Sequence, residues 1–79
     1  MTIEEIRGLF AAALSKAGVS PADLEVRVER NKQYSLFYNG HLLGLYSHRY
    51  RLLKTENRAY HTDEMTPCEL GNAMASVLK

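Results

Sequence analysis

Residues 33–47, QYSLFYNGHLLGLYS, constrain the fold of this chain more than any other stretch. Two runs rich in aromatic and aliphatic side chains flank Asn39-Gly40. Asn-Gly is the strongest short-range mark of a two-residue type I′ hairpin turn, because both central residues take positive φ. A turn that tight also sets register. With Asn39 and Gly40 at the tip, Tyr38 falls opposite His41, Leu36 opposite Leu43 and Tyr34 opposite Leu45. On the other side Phe37 meets Leu42 and Ser35 meets Gly44, with Tyr46 beyond. Directly opposed residues share a face, so neither face of this hairpin is polar. The expectation is that Leu36, Leu43 and Leu45 pack on helices. Phe37, Leu42 and Tyr46 then occupy the second face, flanked by Glu25, Arg27 and Glu29 of a preceding strand. Either a second helix covers that face or it is an interface.

The rest of the chain supplies what packs on the hairpin. The spacing of Ile3, Ile6, Phe10, Ala13, Leu14 and Ala17 predicts a helix over Thr2–Ala17. Thr2 and Glu5 make a capping box, Glu4 and Glu5 suit the positive end of the helix dipole, and Gly18 suits a left-handed stop. Gly8 weakens the helix interior and suggests close packing there. After a Ser20-Pro21 turn signal, Leu24 to Arg30 alternates, with Leu24, Val26 and Val28 on one side, and reads as a half-buried strand. Asn31-Lys32 is the next turn, with Asn31 the residue tolerant of positive φ. Gln33–Tyr38 and His41–Ser47 are the second and third strands. Residues 48–61, HRYRLLKTENRAYH, admit a helix from Ser47 or a fourth strand in which Tyr50, Leu52 and Lys54 alternate with Arg51 and Leu53. A turn over Thr55, Glu56, Asn57 and Arg58 and an extended piece from Ala59 to His61 would follow that strand. No helical stripe is sustained, which favours the strand. Thr66 and Glu69 form a second capping box with Pro67 at the first helical position. Leu70, Ala73, Met74, Val77 and Leu78 then form an apolar stripe. The expected fold is α+β: an antiparallel sheet of three to four strands, with N- and C-terminal helices packed mainly on one face.

Seventy-nine residues make one compact domain with a modest core, so both a monomer and a homodimer are open. Hydrophobic content of 46% and charged content of 24% argue against disorder. No apolar run is long enough to span a membrane, and MTIEEIRGLF lacks the basic start of a secretory signal. The single cysteine, Cys68, forms no internal disulfide, which points to a reducing cytoplasm.

Charge is unevenly spread. Residues 27–58 carry seven cations against Glu29 and Glu56, a net +5, whereas residues 1–26 and 59–79 each carry −2. Such asymmetry steers partners. Within the basic stretch Arg49, Tyr50, Arg51, Lys54, Arg58 and Tyr60 interleave cations with aromatics. Three readings fit: an exposed strand edge defended by charge, a protein interface using Arg and Tyr, or a nucleic-acid surface in which cations meet phosphates and rings stack on bases. Other constellations are weaker. His41, His48, His61 and Cys68 have no closely spaced ligand pair of the kind that anchors zinc. Cys68 at a helix start has no base assigned to it by the sequence. Asp63, Glu64 and Glu69 are accounted for by the second helix's dipole and cap. Gly40 and Gly44 make no phosphate-binding loop. No catalytic, metal or cofactor residues are expected.

The order helix, three strands, helix, with Asn72-Ala73-Met74-Ala75 in the last helix, resembles a double-stranded-RNA-binding domain. Where that family carries lysines to meet phosphates, this chain has Pro67, Cys68 and Glu69, so its RNA contacts are not implied. In size and layout the chain also resembles small phage- or mobile-element-encoded inhibitors of the anti-CRISPR kind. That resemblance implies a non-enzymatic protein that binds a host nucleic-acid-handling complex and blocks it sterically. The expected partner-binding residues are Phe37, Leu42, Tyr46, Arg49, Tyr50, Arg51, Lys54 and Arg58. The alternative is a small nucleic-acid-binding domain using the Arg49–Arg58 segment.

Overall fold

The computed structural model describes residues 2–56 and 58–78, with Asn31 described by its backbone alone. Among these residues it contains two α-helices and one five-stranded antiparallel sheet. In chain order the elements are α1 (Ile3–Lys16), β1 (Leu24–Val28), β2 (Gln33–Tyr38), β3 (His41–Ser47), β4 (Leu52–Lys54), β5 (Ala59–His61) and α2 (Pro67–Val77). Each strand pairs with the next, so the sheet is a meander of order β1-β2-β3-β4-β5. No described helix is long and apolar enough to cross a membrane.

Local chemistry sets both helix ends as the capping pattern predicts. The Thr2 hydroxyl accepts from the Glu5 amide while Glu5 accepts from the Thr2 amide, and Thr66 and Glu69 repeat the exchange at α2. Hydrogen bonds from Thr2 hold the Glu5 carboxyl below its ordinary range. At the other end of α1, Gly18 takes φ 80°. There the Val19 amide donates to Leu14 and the Gly18 amide to Ser15, at 2.9 and 3.0 Å, the paired bonds of a Schellman stop. Arg7 ties this end of the fold together. Its Nε donates to the Leu24 carbonyl and its Nη2 to the Pro21 carbonyl, at 3.2 and 3.1 Å.

The core lies between one face of the sheet and both helices. Ile6, Phe10, Ala13 and Leu14 of α1 and Leu70 and Met74 of α2 join Leu24, Val26, Leu36, Leu43, Tyr46 and Leu53 in one buried cluster. The strand register places Val26 beside Leu36, and Tyr46 beside Leu53, on that face. The helices therefore lie on one side, as expected, and the sheet's other side carries none of the core.

The hairpin departs from the expected register at one point. Tyr38–His41 and Phe37–Leu42 pair as predicted, with Asn39 and Gly40 at φ 49° and 84°. The register then shifts, so that Leu36 pairs with Gly44, Ser35 with Leu45 and Tyr34 with Tyr46. Leu43 is the extra residue of a β-bulge. A one-residue slip exchanges the two faces for everything beyond it. Tyr46 therefore points into the core, 1% exposed, and Leu45 points out, 39% exposed, the reverse of the expectation for both. Tyr46 is thereby removed from the expected partner-binding set. Its ring meets Phe10 edge-on at 4.9 Å, a favoured aromatic geometry.

The segment after β3 also differs. Residues 48–51 form a turn with Arg51 at φ 52°, which ends alternation at Tyr50 and delays β4 to Leu52. Thr62 holds this turn by donating its amide and hydroxyl to the Arg51 carbonyl, at 2.8 and 3.1 Å. The extended piece from Ala59 becomes a true fifth strand paired with β4. In the turn between them, Thr55 bonds to Arg58, while Asn57 lies outside the described residues. The left-handed residue before β2 is Lys32, φ 59°.

Close packing of α1 occurs at Gly71 of α2, not at Gly8. A Cβ on Gly71 would overlap the Ala13 carbonyl oxygen and press on Ala17, whereas a Cβ on Gly8 would meet nothing. The obstruction at Gly71 is backbone, so only separation of the helices can relieve it. Gly71→Ala is expected to destabilise the fold by about 1–3 kcal/mol, as overpacked cores do, even though alanine is the better helix former. Gly8→Ala is expected to stabilise it by about 0.8 kcal/mol through helix propensity. Urea unfolding of the two variants beside the wild type measures both.

Candidate functional site

Two surfaces are left once the core is assigned. The first is the helix-free face of the sheet. By register it presents Glu25 and Arg27 from β1, Ser35 and Phe37 from β2, Leu42 and Leu45 from β3, and Leu52 and Lys54 from β4. Its polar groups on the β1 side satisfy one another. Arg27 makes a two-pronged contact with Glu25 at 3.1 and 3.2 Å, and its guanidinium sits 4.5 Å above the Phe37 ring. The buried Ser35 hydroxyl donates to Glu29 at 2.6 Å. The apolar groups toward β3 and β4 have no such cover. Leu42 is 53% exposed and Leu45 39%, with Phe37 and Leu52 half-buried alongside.

The second surface is an open cleft at the end of the sheet where β2 starts and β3 finishes. Lys32, Gln33 and Tyr34 line one side, and Ser47, His48, Arg49 and Tyr50 the other. The Arg49 guanidinium lies 5.4 Å over the Tyr50 ring. The His48 Nδ1 shares a 3.0 Å hydrogen bond with the Tyr46 hydroxyl. Burial beside the core, and then the nearby Arg51 charge, hold the His48 imidazole below its ordinary value of 6.5.

The structure distributes the expected partner-binding residues among several places. Phe37, Leu42 and Lys54 lie on the open face. Arg49 and Tyr50 lie on the cleft. Arg51 closes the turn before β4 and borders a different hollow, against Leu9, Met65 and Leu70 on the helix side. Arg58 stands beyond the far end of β4, which at ~3.3 Å per residue is about 10 Å from Arg51. The basic segment is thus not one continuous patch. Leu45, Leu52, Lys32 and Tyr34 border these surfaces without having been expected to. Leu52 was visible in the alternation with Lys54, whereas Leu45 depended on the bulge.

The other sequence candidates stay apart. Among the described residues no three His, Cys, Asp or Glu side chains are gathered as a metal site. Cys68 is exposed on the first turn of α2, with Asn72 Nδ2 at 3.8 Å from its sulfur. No family model matches the chain, nor does any curated protein or solved structure.

The lowered His48 pKa makes a pH prediction. The unfolded chain binds this proton more readily than the folded one, so stability rises with pH across the interval between the two pKa values. The stabilisation is present above about 6.5, the unfolded value, and is lost as pH falls through the lower folded value. His48→Gln, which can still meet the Tyr46 hydroxyl, is expected to flatten this part of the curve. Urea unfolding midpoints between pH 5 and 7.5 check it.

Proposed function

We propose that this chain is a non-enzymatic protein-binding module that docks through the helix-free face of its sheet. The observation behind this reading is the exposure of Leu42 and Leu45 beside Phe37 and Leu52 on adjacent strands. Burying such area returns ~25 cal/mol per Å². Overall dimensions of 31 × 25 × 22 Å give one side enough extent to bury on the order of 800 Å², the share of one partner in a standard interface.

Charge narrows the partner's chemistry. Glu25 pairs with Arg27 on the β1 side, whereas Lys54 makes no ion pair among the described residues, with Arg49 and Arg58 toward either end of β4. The complementary surface is an apolar patch bordered by acidic side chains. We read the action as steric inhibition of a nucleic-acid-handling complex, in keeping with the resemblance in size and layout to inhibitors of the anti-CRISPR kind. On this reading the module seats on an acidic protein surface of that complex. A basic nucleic-acid groove would repel the same cations.

The test is affinity for a partner co-purified from the native host and identified by mass. Leu42→Asp combined with Leu45→Asp is expected to weaken binding at least tenfold, ~1.4 kcal/mol. The melting temperature should stay within a few degrees of wild type, because neither side chain belongs to the core. Undiminished binding by this folded double variant would remove the open face as the docking surface.

A further inference from the structure

The cleft at the end of the sheet shares Arg49 with the docking reading, which uses none of its other lining residues. Among the described residues its lining includes two cations, Lys32 and Arg49, and no carboxylate. Glu29 accepts from the Ser35 hydroxyl on the open face, and Glu5 closes the cap of α1, its charge reaching His48 from outside the lining. Two tyrosines border the same space. Tyr34 packs partly on the core, and Tyr50 leaves 65% of its surface in solvent at the tip of the turn. Arg49 rests over the Tyr50 ring, which orients the guanidinium and the ring together. Ser47 and Gln33, paired across β2 and β3, add hydrogen-bonding side chains between them.

Lys32 is the least expected member. Its backbone stands at φ 59°, in the left-handed region where glycine or asparagine is usual. A residue held in so sparsely populated a conformation is a pointer to a function for its side chain. Here the side chain places a positive charge on the cleft opposite Arg49. The cleft's volume, ≈ 910 Å³, is within the ~300–1,000 Å³ of small-ligand sites.

Cations paired with exposed rings and no acid suit a planar group carrying an anion. Guanidinium and ammonium groups bind phosphate oxygens, and aromatic rings stack on bases of any sequence. We propose that this cleft binds a nucleotide, with Lys32 and Arg49 on the phosphate and Tyr50 against the base. A free nucleotide and the terminal nucleotide of a single strand share this chemistry. The site adjoins the open face, since Gln33, Ser47 and Tyr50 also border a hollow with Leu45 and Leu52, but its proposed contacts are not the leucines on which the docking reading rests.

The experiment is a titration of the isotopically labelled full chain, followed by amide shifts. The ligands are AMP, adenosine, inorganic phosphate and a short 5′-phosphorylated oligonucleotide. AMP should shift the amides of residues 32–34 and 47–50, with adenosine and phosphate each at least tenfold weaker. Lys32→Gly removes the charge while suiting the left-handed backbone, so it should melt no lower than wild type yet bind AMP at least fivefold more weakly. Arg49→Gln should lose affinity similarly with unchanged melting. An oligonucleotide that binds more tightly through these same amides identifies a strand end as the natural source, and one that does not identifies the free nucleotide. The proposal is overturned if neither AMP nor the oligonucleotide shifts these amides at millimolar concentration. It is equally overturned if the folded Lys32→Gly and Arg49→Gln proteins bind as wild type does.

Discussion

The bulge at Leu43 lets β3 place Leu43, Gly44 and Tyr46 on the core side within four residues. A regular strand alternates and would send one of any two neighbours outward. The extra residue allows two consecutive positions to face inward and reverses the alternation beyond them. That reversal brings Tyr46 under Phe10 and delivers Leu45 to the open face. The composition of both faces of the sheet thus follows from one inserted residue. Gly44 makes the arrangement feasible beside β4, because a Cβ there would come within 2.5 Å of the Lys54 carbonyl oxygen.

One-sided packing is the second constraint, and it depends on the first. Two helices share one face of a five-stranded meander, so they must lie close enough to feed a single cluster. Gly71 lets α2 approach the backbone of α1 at Ala13, bringing Leu70 and Met74 into the same buried cluster as Ile6 and Phe10. Among the described residues no third α-helix covers the opposite face. What remains there is a surface whose charges pair near β1 and whose leucines near β3 and β4 stay wet. The open face is therefore a consequence of how the available apolar side chains were shared between two sides, and it supports the docking reading.

The cationic side chains follow a different geometry. In the sequence they look like one segment, but the left-handed turn at Arg51 and the β4–β5 connection send them in separate directions. Arg49 and Tyr50 are grouped with Lys32 and Tyr34, which lie seventeen and sixteen residues earlier, respectively, and on the opposite side of the hairpin. This is why an electrostatic stripe and a cleft are different propositions here. Screening by salt acts on dispersed exposed charges, whereas a cleft can use two cations and a ring on one ligand at once.

Local interactions were legible in the sequence because they involve residues a few positions apart. Both capping boxes, the Gly18 stop, the Asn39-Gly40 turn, the helix stripes and the α+β class depend on backbone geometry and 3.6- or two-residue periods. So did the placement of Phe37 and Leu42 on one face, since the turn sets the first two pairs of the hairpin. The tertiary structure alone decided the rest. Whether β3 bulges depends on what lies against Gly44 and Tyr46, and those neighbours, Leu53, Lys54 and Phe10, are distant in sequence. Gly8 and Gly71 are equally small in the sequence, and only the crossing of the two helices distinguishes an exposed glycine from an indispensable one. The fate of Leu45, Tyr46 and Lys32 was settled by contacts between elements, and no periodicity within a single element encodes such contacts.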